Sequence, residues 1–562
     1  MPGPRMAARR IRSSRHGLLA ALRDVVAICA FVALLASPVS GLKAQQPVTS
    51  DYVVRSFLPV AAWAPDGQPP PQTPPAALSP LPPSAPSQSP PASQPSDQAP
   101  AGKGQQGDEK KVDEKKSDAA GGDSGANPAP QCWNVHAQTT TVAQGDPGFP
   151  ARYSGPNSLN SAGERQETLG ADLFLGARLW CGAELHADAL MWEGFGLSQT
   201  FGVEAFPNGD AFKAGTVTPD FTFAHLFVRQ TIGLGGEQEN IADDQMTLAS
   251  KEDISRLTFS VGRLSPTDIF DKNTYAGDPH TQFMNWAAVT NITWDYPADQ
   301  IGFTTGIAIE LNQPDWTFRY GFFQMPGVQN GFTADDRILT WPGMGSDGPF
   351  FLSWGMMSEL EHRYKINGHP GAVRFLAWVN EADMASYAAA TAILRANPPG
   401  PDIPPGSGGD VPPASMAFRH KYGLGLNWEQ EVVKNLGMFS RIGWNDGREE
   451  AWTYTDANWS ASFGVSIKGA AWCRPDDIVG IVGIVSGASH VQQEFLEAGG
   501  LGILDGDGAL NYDCEKVLET YYDFPIGKSA RFAMDYQFVA DPAFNSARGP
   551  VSIFGVRLHW GS

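Results

Sequence analysis

Apolar and polar side chains alternate from Val551 to Trp560, and the same two-residue period recurs upstream through nearly four hundred residues. Between Thr168 and Trp180, Leu169, Ala171, Leu173, Leu175, Ala177 and Leu179 share one face, while Gly170, Asp172, Phe174, Gly176 and Arg178 share the other. Successive strand side chains point to opposite faces, so each such segment has one oily and one wet side. The next segment repeats this, with Ala183, Leu185, Ala187, Ala189 and Met191 oily and Glu184, His186 and Asp188 between them. A soluble sandwich gives the same alternation with inside and outside exchanged. The oily faces carry few charges, and a charge facing lipid at mid-bilayer costs about 2–4 kcal/mol, which favours a lipid-facing surface. The pattern predicts an all-β chain closed into a transmembrane antiparallel β-barrel.

Fifteen segments stand out, at 168–180, 182–194, 221–235, 255–265, 301–313, 316–327, 353–364, 370–381, 418–431, 434–445, 460–472, 476–487, 515–524, 530–540 and 551–561. Short links at Asn367-Gly368, Val432-Val433, Cys473 to Pro475 and Pro525 to Lys528 alternate with long ones at 328–352, 382–417, 446–459 and 488–514. Short turns belong on the periplasmic side of bacterial barrels and long loops outside, and such barrels close with an even strand number. Segment 168–180 then descends from outside, and a strand must climb before it, for which Cys132 to Gln144 is the candidate. This gives sixteen strands with both ends of the barrel in the periplasm. The link 236–254 and the segments near 197–206 and 285–296 leave room for eighteen.

The first residues read differently. Arg5, Arg9, Arg10, Arg12, Arg15 and Arg23 precede an apolar core from Val25 to Ala36, the pattern of a secretory signal peptide over residues 1–44. Those six arginines and Lys43 against Asp24 give the segment a charge of +6, so its loss takes the formal charge from −20 to −26. Such acidity argues against a nucleic-acid partner. Residues 45–130, dominated from Gln68 onward by Pro, Ser, Gln and Gly, form a disordered extension unable to bury a core. The topology places it in the periplasm, either as a plain spacer or in contact with the cell wall. Residues 131–562 are the barrel domain.

Catalytic constellations are poor. The chain has no H-E-x-x-H, no G-x-S-x-G and no P-loop, so no enzyme and no cofactor is expected. Asp505-Gly506-Asp507-Gly508 resembles part of a calcium loop but lacks the remaining ligand spacing, and reads as an exposed turn with calcium as the lesser alternative; the cysteine spacing supports no metal. Four cysteines follow the signal segment. Cys132 and Cys181 fall at the periplasmic ends of adjacent strands, where a disulfide is expected, whereas Cys473 and Cys514 fall at opposite ends of the barrel.

Several motifs in one order carry a resemblance. They are Gly194-Phe195-Gly196-Leu197-Ser198-Gln199-Thr200, Phe206-Pro207-Asn208-Gly209, Gly262-Arg263-Leu264, and Phe283-Met284-Asn285-Trp286-Ala287 followed by Trp294-Asp295-Tyr296-Pro297-Ala298-Asp299. Near the end come Tyr522-Asp523-Phe524-Pro525-Ile526-Gly527-Lys528, Asp535-Tyr536-Gln537-Phe538, Asp541-Pro542-Ala543-Phe544-Asn545 and Arg548-Gly549-Pro550-Val551. Over residues 133–562 the chain resembles the carbohydrate-selective porins of the OprB type. The resemblance implies a Gram-negative outer-membrane barrel of sixteen strands through which sugars diffuse into the periplasm without energy input. Its partners would be small neutral sugars and outer-membrane lipid, as a monomer or a homotrimer. A general or anion-selective porin is the alternative. The Pro-rich extension and the final Gly561-Ser562, in place of a terminal aromatic, depart from that pattern.

The alternating faces also assign the lumen. Arg178, Arg229, Arg319, Arg374, Arg441, Arg531 and Arg557 turn inward together with Asp172, Glu184, Asp188, Glu310, Glu359, Glu361 and Glu429. Opposed rows of guanidinium and carboxylate groups would set a transverse field and offer hydrogen bonds to a polyhydroxylated solute. The plainer alternative is that these groups pair with one another and stiffen the wall. A wide barrel needs something folded inward to be selective, and loop 266–300 is the expected constriction, with Asp268, Asp271, Asn273, His280, Gln282, Asn285 and Trp286.

Overall fold

The computed structural model describes residues 130–562 apart from 212, 214, 328, 330–350 and 397–412. The expected signal segment and nearly all of the extension lie outside the described residues. The strands are β1 (Trp133–Asp146), β2 (Glu164–Trp180), β3 (Ala183–Gly194), β4 (Thr216–Gly233), β5 (Gln238–Ile241), β6 (Ser250–Asp253), β7 (Arg256–Leu264), β8 (Thr304–Asn312) and β9 (Trp316–Gln324). They continue with β10 (Trp354–Ile366), β11 (His369–Ala385), β12 (Met416–Val433), β13 (Leu436–Asn445), β14 (Trp459–Lys468), β15 (Ile478–Gly487), β16 (Glu515–Ile526), β17 (Ala530–Ala540) and β18 (Val551–Gly561). Sixteen of them close a barrel in chain order, β18 pairing with β1 from Gln138↔Gly561 to Gly145↔Phe554. Closure satisfies every strand edge, which a bilayer demands.

Sixteen strands therefore stand and eighteen do not. The link 236–254 holds β5 and β6, but these pair only with each other. Segment 285–296 forms one helical turn, α1 (Trp286–Val289), and 197–206 is irregular, with Ser198, Gln199 and Thr200 all at positive φ. The turn expected at Val432-Val433 falls at Lys434-Asn435, where Asn435 takes φ +75°, a conformation its short amide side chain tolerates.

The oily faces point outward. Leu173, Leu175, Leu360, Phe375, Leu424, Ile442, Leu518, Val556 and Leu558 are all exposed, which is unfavourable in water and correct against lipid. Trp133, Trp180, Trp316, Trp472 and Trp560 ring the end with short turns, and Phe221, Phe418, Trp444 and Phe554 lie toward the end with long loops. Two such girdles mark the membrane–water interfaces.

The inward face is not uniformly wet. Phe439 of β13, Val482 and Ile484 of β15, Val517 and Tyr521 of β16, Val539 of β17 and Ile553 of β18 pack with Phe283, Ala287, Ala288, Val289 and Ile292 of the loop after β7. That loop fills one sector of the barrel as a core. Two further helices, α2 (Tyr387–Ala396) and α3 (His490–Glu497), pack on each other in the long loops.

The disulfide expected between Cys132 and Cys181 is not formed. Both are exposed free thiols. Arg178 donates its backbone N–H to the Cys132 carbonyl at 2.8 Å, so Cys132 lies abreast of Arg178 and not of Cys181. Three residues of strand cover roughly 10 Å, beyond the Cα separation a disulfide bridges.

Candidate functional site: a channel beside an inward-folded loop

The loop between β7 and β8 crosses the lumen and is held on the far wall by wall carboxylates and guanidiniums that meet its backbone. Glu359 of β10 accepts from Asp271 N at 2.7 Å, Glu429 of β12 from Thr274 N at 2.6 Å, and Glu519 of β16 from Met284 N at 2.6 Å. Arg441 of β13 donates to the Asp271 carboxylate at 2.9 Å and to the Ala288 carbonyl at 2.7 Å, and Arg557 of β18 donates to the Pro279 and Gln282 carbonyls at 2.6 and 2.7 Å. Asn273 donates to the Asn427 side chain at 2.8 Å, and Asn285 accepts from Ala287 N at 3.0 Å to cap α1 while donating to Gln537 at 3.0 Å. Charge-assisted bonds of this kind are the strong ones, and here they are shielded from water.

This sorts the residues predicted to line the pore. Glu359, Arg441 and Arg557, at 1–2% exposure, lie beneath the loop, and the loop's own Asp271, Asn273 and Asn285 are buried against the wall. The three wall residues turn inward, yet the loop covers them. Glu310, Arg319, Glu359, Glu361, Arg374 and Glu429 do not form opposed rows. They make one chain of ion pairs along neighbouring strands, with Arg319 at 3.0 Å from Glu310, 2.7 Å from Glu359 and 3.0 Å from Glu361, and Arg374 at 2.9 Å from Glu361 and 3.2 Å from Glu429. Inward residues on adjacent antiparallel strands are nearest neighbours, so they pair within the wall before they can face across it. Arg178 pairs with Glu184 at 3.0 Å near the short-turn end, and Arg531 with Asp523.

The sector left open, bounded by β1–β4 and β7–β9, is a channel of about 910 Å³. Glu184, Asp188, Arg229, Glu310 and Arg319 line it from the wall, and Asp268 and Trp286 from the loop. On one side Phe206, Trp286, Tyr454 and Tyr296 form a row of rings with successive centroids 5.4, 5.9 and 5.0 Å apart. On the other, His225 joins wall to loop, its Nδ1 3.0 Å from Asp188 and its Nε2 2.8 Å from Asp268. His280 bridges Asp210 at 3.0 Å and Asp278 at 2.9 Å. Burial by itself would depress its imidazolium, but the two carboxylates outweigh this and hold its pKa well above the ordinary imidazole value.

The periplasmic floor of the channel was not anticipated. The β5–β6 hairpin turns its tip under the lumen, where Gln245 donates to Gln138 at 2.8 Å, Asn134 to the Asp244 carbonyl at 2.9 Å, and Arg229 to the Met246 carbonyl at 2.7 Å. Ile241, Gln245 and Met246 line the opening.

The family model described as carbohydrate-selective porin, OprB family, matches residues 156–561. The chain belongs to the OprB family. A comparison with curated protein sequences gives no significant match. Among solved structures, the high-pH structure of Pseudomonas putida OprB is similar at a TM-score of 0.55 and 15% identity, covering 77% of this chain and 94% of that one. The low-pH structure of the same P. putida protein gives a TM-score of 0.40 and 11% identity, covering 77% and 93%. This member of the OprB family is thus an outer-membrane carbohydrate channel and not an enzyme.

Several motifs that carried the family resemblance hold the loop. Arg263 donates to the Phe223 carbonyl at 2.8 Å and to Asp299 at 2.6 Å. Asp295 accepts from Trp452 N and Thr453 N, each at 2.8 Å. A Cβ on Gly262, at φ +140°, would meet the Leu226 carbonyl oxygen at 2.4 Å. The channel residues His225, Tyr296 and Tyr454 were not assigned a role from sequence, although Tyr296 lies inside the Trp294 to Asp299 motif.

Proposed function

We propose that this OprB-family porin passes small neutral sugars, mono- and small oligosaccharides, single file along the channel between the inward-folded loop and the β1–β9 wall. The observation that carries this is the two-sided lining: a row of four aromatic rings opposite carboxylates, the guanidiniums of Arg229 and Arg319 and an imidazole, in a cavity of about 910 Å³. Sugar C–H faces stack on Trp286, the partly exposed ring of the row, which the buried Phe206, Tyr454 and Tyr296 hold in place, while hydroxyls exchange water for the charged partners. Acidic and basic groups of the lining are interleaved, so an ion of either sign meets an opposing charge and gains little overall. Transport is passive, driven by the sugar gradient. In the same reading residues 45–130 lie in the periplasm and reach toward the cell wall, and the barrel acts as a monomer or a homotrimer.

Swelling of liposomes carrying the refolded protein tests this with glucose and maltose set against charged solutes of equal size. Faster swelling in the sugars is the expected result. Equal rates would reduce the protein to a general porin, and faster uptake of anions would make Arg229 and Arg319 an anion path.

A further inference from the structure

Three long loops meet above the channel at a cluster of carboxylates that sugar passage does not use. Glu204 lies in the loop 195–215, Asp456 in 446–458 and Asp505 in 488–514, and one oxygen from each lies within 4.8 Å of the others. All three side chains are at most 1% exposed. One oxygen of each is held by the fold: Glu204 accepts from Ala457 N at 2.7 Å, Asp456 from Leu504 N at 2.8 Å, and Asp505 from the Gln492 amide at 3.3 Å. Glu204 Oε2, Asp456 Oδ1 and Asp505 Oδ1 remain buried without a hydrogen-bond partner, and so does Gln492 Oε1.

Buried acceptors without donors are costly, and three carboxylates in one dry space repel one another. The ammonium groups of Lys213, which donates to the Tyr454 carbonyl at 2.6 Å, and of Lys421, which also pairs with Asp295 at 3.5 Å, are the nearby counter-charges, and two ammonium groups, one of them shared with a fourth carboxylate, do not balance three carboxylates. The cradle is also shaped by Gly502: a Cβ there would lie 2.1 Å from Asp505 Oδ1 and 2.8 Å from both Asp456 carboxylate oxygens. Calcium takes 6–8 carboxylate and amide oxygens in flexible geometry at about 2.3–2.6 Å, whereas magnesium demands near-ideal octahedral geometry at about 2.0–2.1 Å and keeps several waters, for which a cradle this buried has little room.

We propose that Glu204, Asp456 and Asp505 bind a calcium ion that ties the three long loops together at the mouth of the barrel. Gln492 supplies a neutral oxygen to the same ion. The Asp505-Gly506-Asp507-Gly508 segment, read from sequence as an exposed turn, instead buries Asp505 and gives the ion one ligand.

The test uses full-length protein refolded from inclusion bodies, free of lipopolysaccharide and stripped with EDTA, titrated calorimetrically with CaCl2 or MgCl2 and melted in each. One calcium site, about tenfold tighter than any magnesium binding, and a higher Tm in calcium are expected. Asp456→Asn and Gly502→Ala should each weaken calcium binding at least about tenfold, with barrel folding checked by gel heat-modifiability. Gly502→Ala keeps every charge, so it decides the matter if Asp456→Asn does not fold. A stripped wild type that takes up no calcium, or calcium affinity unchanged in folded Gly502→Ala, would overturn the proposal and leave a proton-sharing cluster.

Discussion

The Nε2 of His225 lies 2.8 Å from the Asp268 carboxylate, so an imidazole on wall strand β4 pins the first turn of the inward-folded loop. Its Nδ1 holds the buried Asp188 at 3.0 Å. Replacing His225 by Ala frees Asp268 and leaves Asp188 buried without its partner, a loss of about 1–3 kcal/mol. The expected outcome is a looser constriction: single-channel conductance in planar bilayers rises and sugar-over-salt preference falls, with the barrel still folded. Unchanged conductance would mean that the other loop anchors suffice.

The aromatic row makes a separate prediction. Trp286 sits between Phe206 and Tyr454, with ring centroids at 5.4 and 5.9 Å. Aromatic contacts of this type contribute about 0.5–1.5 kcal/mol each, so Trp286→Ala should weaken sugar block of ion current about two- to tenfold. Small-ion conductance should rise at the same time. A variant that loses sugar block while Trp286→Phe retains most of it identifies the ring face as the contact.

These residues differ in how visible they were. Each of the sixteen predicted segments overlaps a barrel strand, because the bilayer imposes the same oily face on every one of them. The lumen imposes no such uniformity. A carboxylate such as Glu359 has the same place in the alternation whether it meets water or the backbone N–H of Asp271. One signal was present: Ile478-Val479-Gly480-Ile481-Val482-Gly483-Ile484-Val485 is apolar on both faces, which marks a wall section whose inner face is covered. Phe439, Val517 and Val539 extend that covered sector. The β5–β6 hairpin escaped because its polar sequence reads as a long turn, and its place under the lumen depends on contacts to Asn134 and Gln138, more than a hundred residues away.

Arg441 and Asp271 form a buried, ion-paired loop anchor. The guanidinium Nε lies 2.9 Å from the carboxylate, and Arg441 also serves two loop carbonyls. Removing one partner of a buried pair costs about 3–5 kcal/mol, because the other is left charged and dry. Arg441→Met should therefore lower the Tm and widen the channel, while the double variant Arg441→Met with Asp271→Asn recovers part of the lost stability. Strict additivity of the two single losses in thermal melts would deny that they act as a pair.

The remaining prediction concerns pH. His280 faces Asp210 and Asp278 at 3.0 and 2.9 Å, with His559 at 6.0 Å, and joins the tip of the inward loop to the loop 195–215. Its pKa is raised, so its stabilising contribution is complete below the ordinary value of 6.5 and is lost as pH rises from there through the raised value. Asp278 is depressed below the usual carboxylate value of 3.8, despite burial, by its bonds to His280 and Thr281, so its contribution holds above that value and fails only in stronger acid. Between these limits the anchor is whole. Thermal melts from pH 6 upward should show Tm declining through the alkaline range, and His280→Gln should have a lower Tm at pH 6 and a flatter decline. A His280→Gln profile parallel to wild type would assign the pH dependence to other groups.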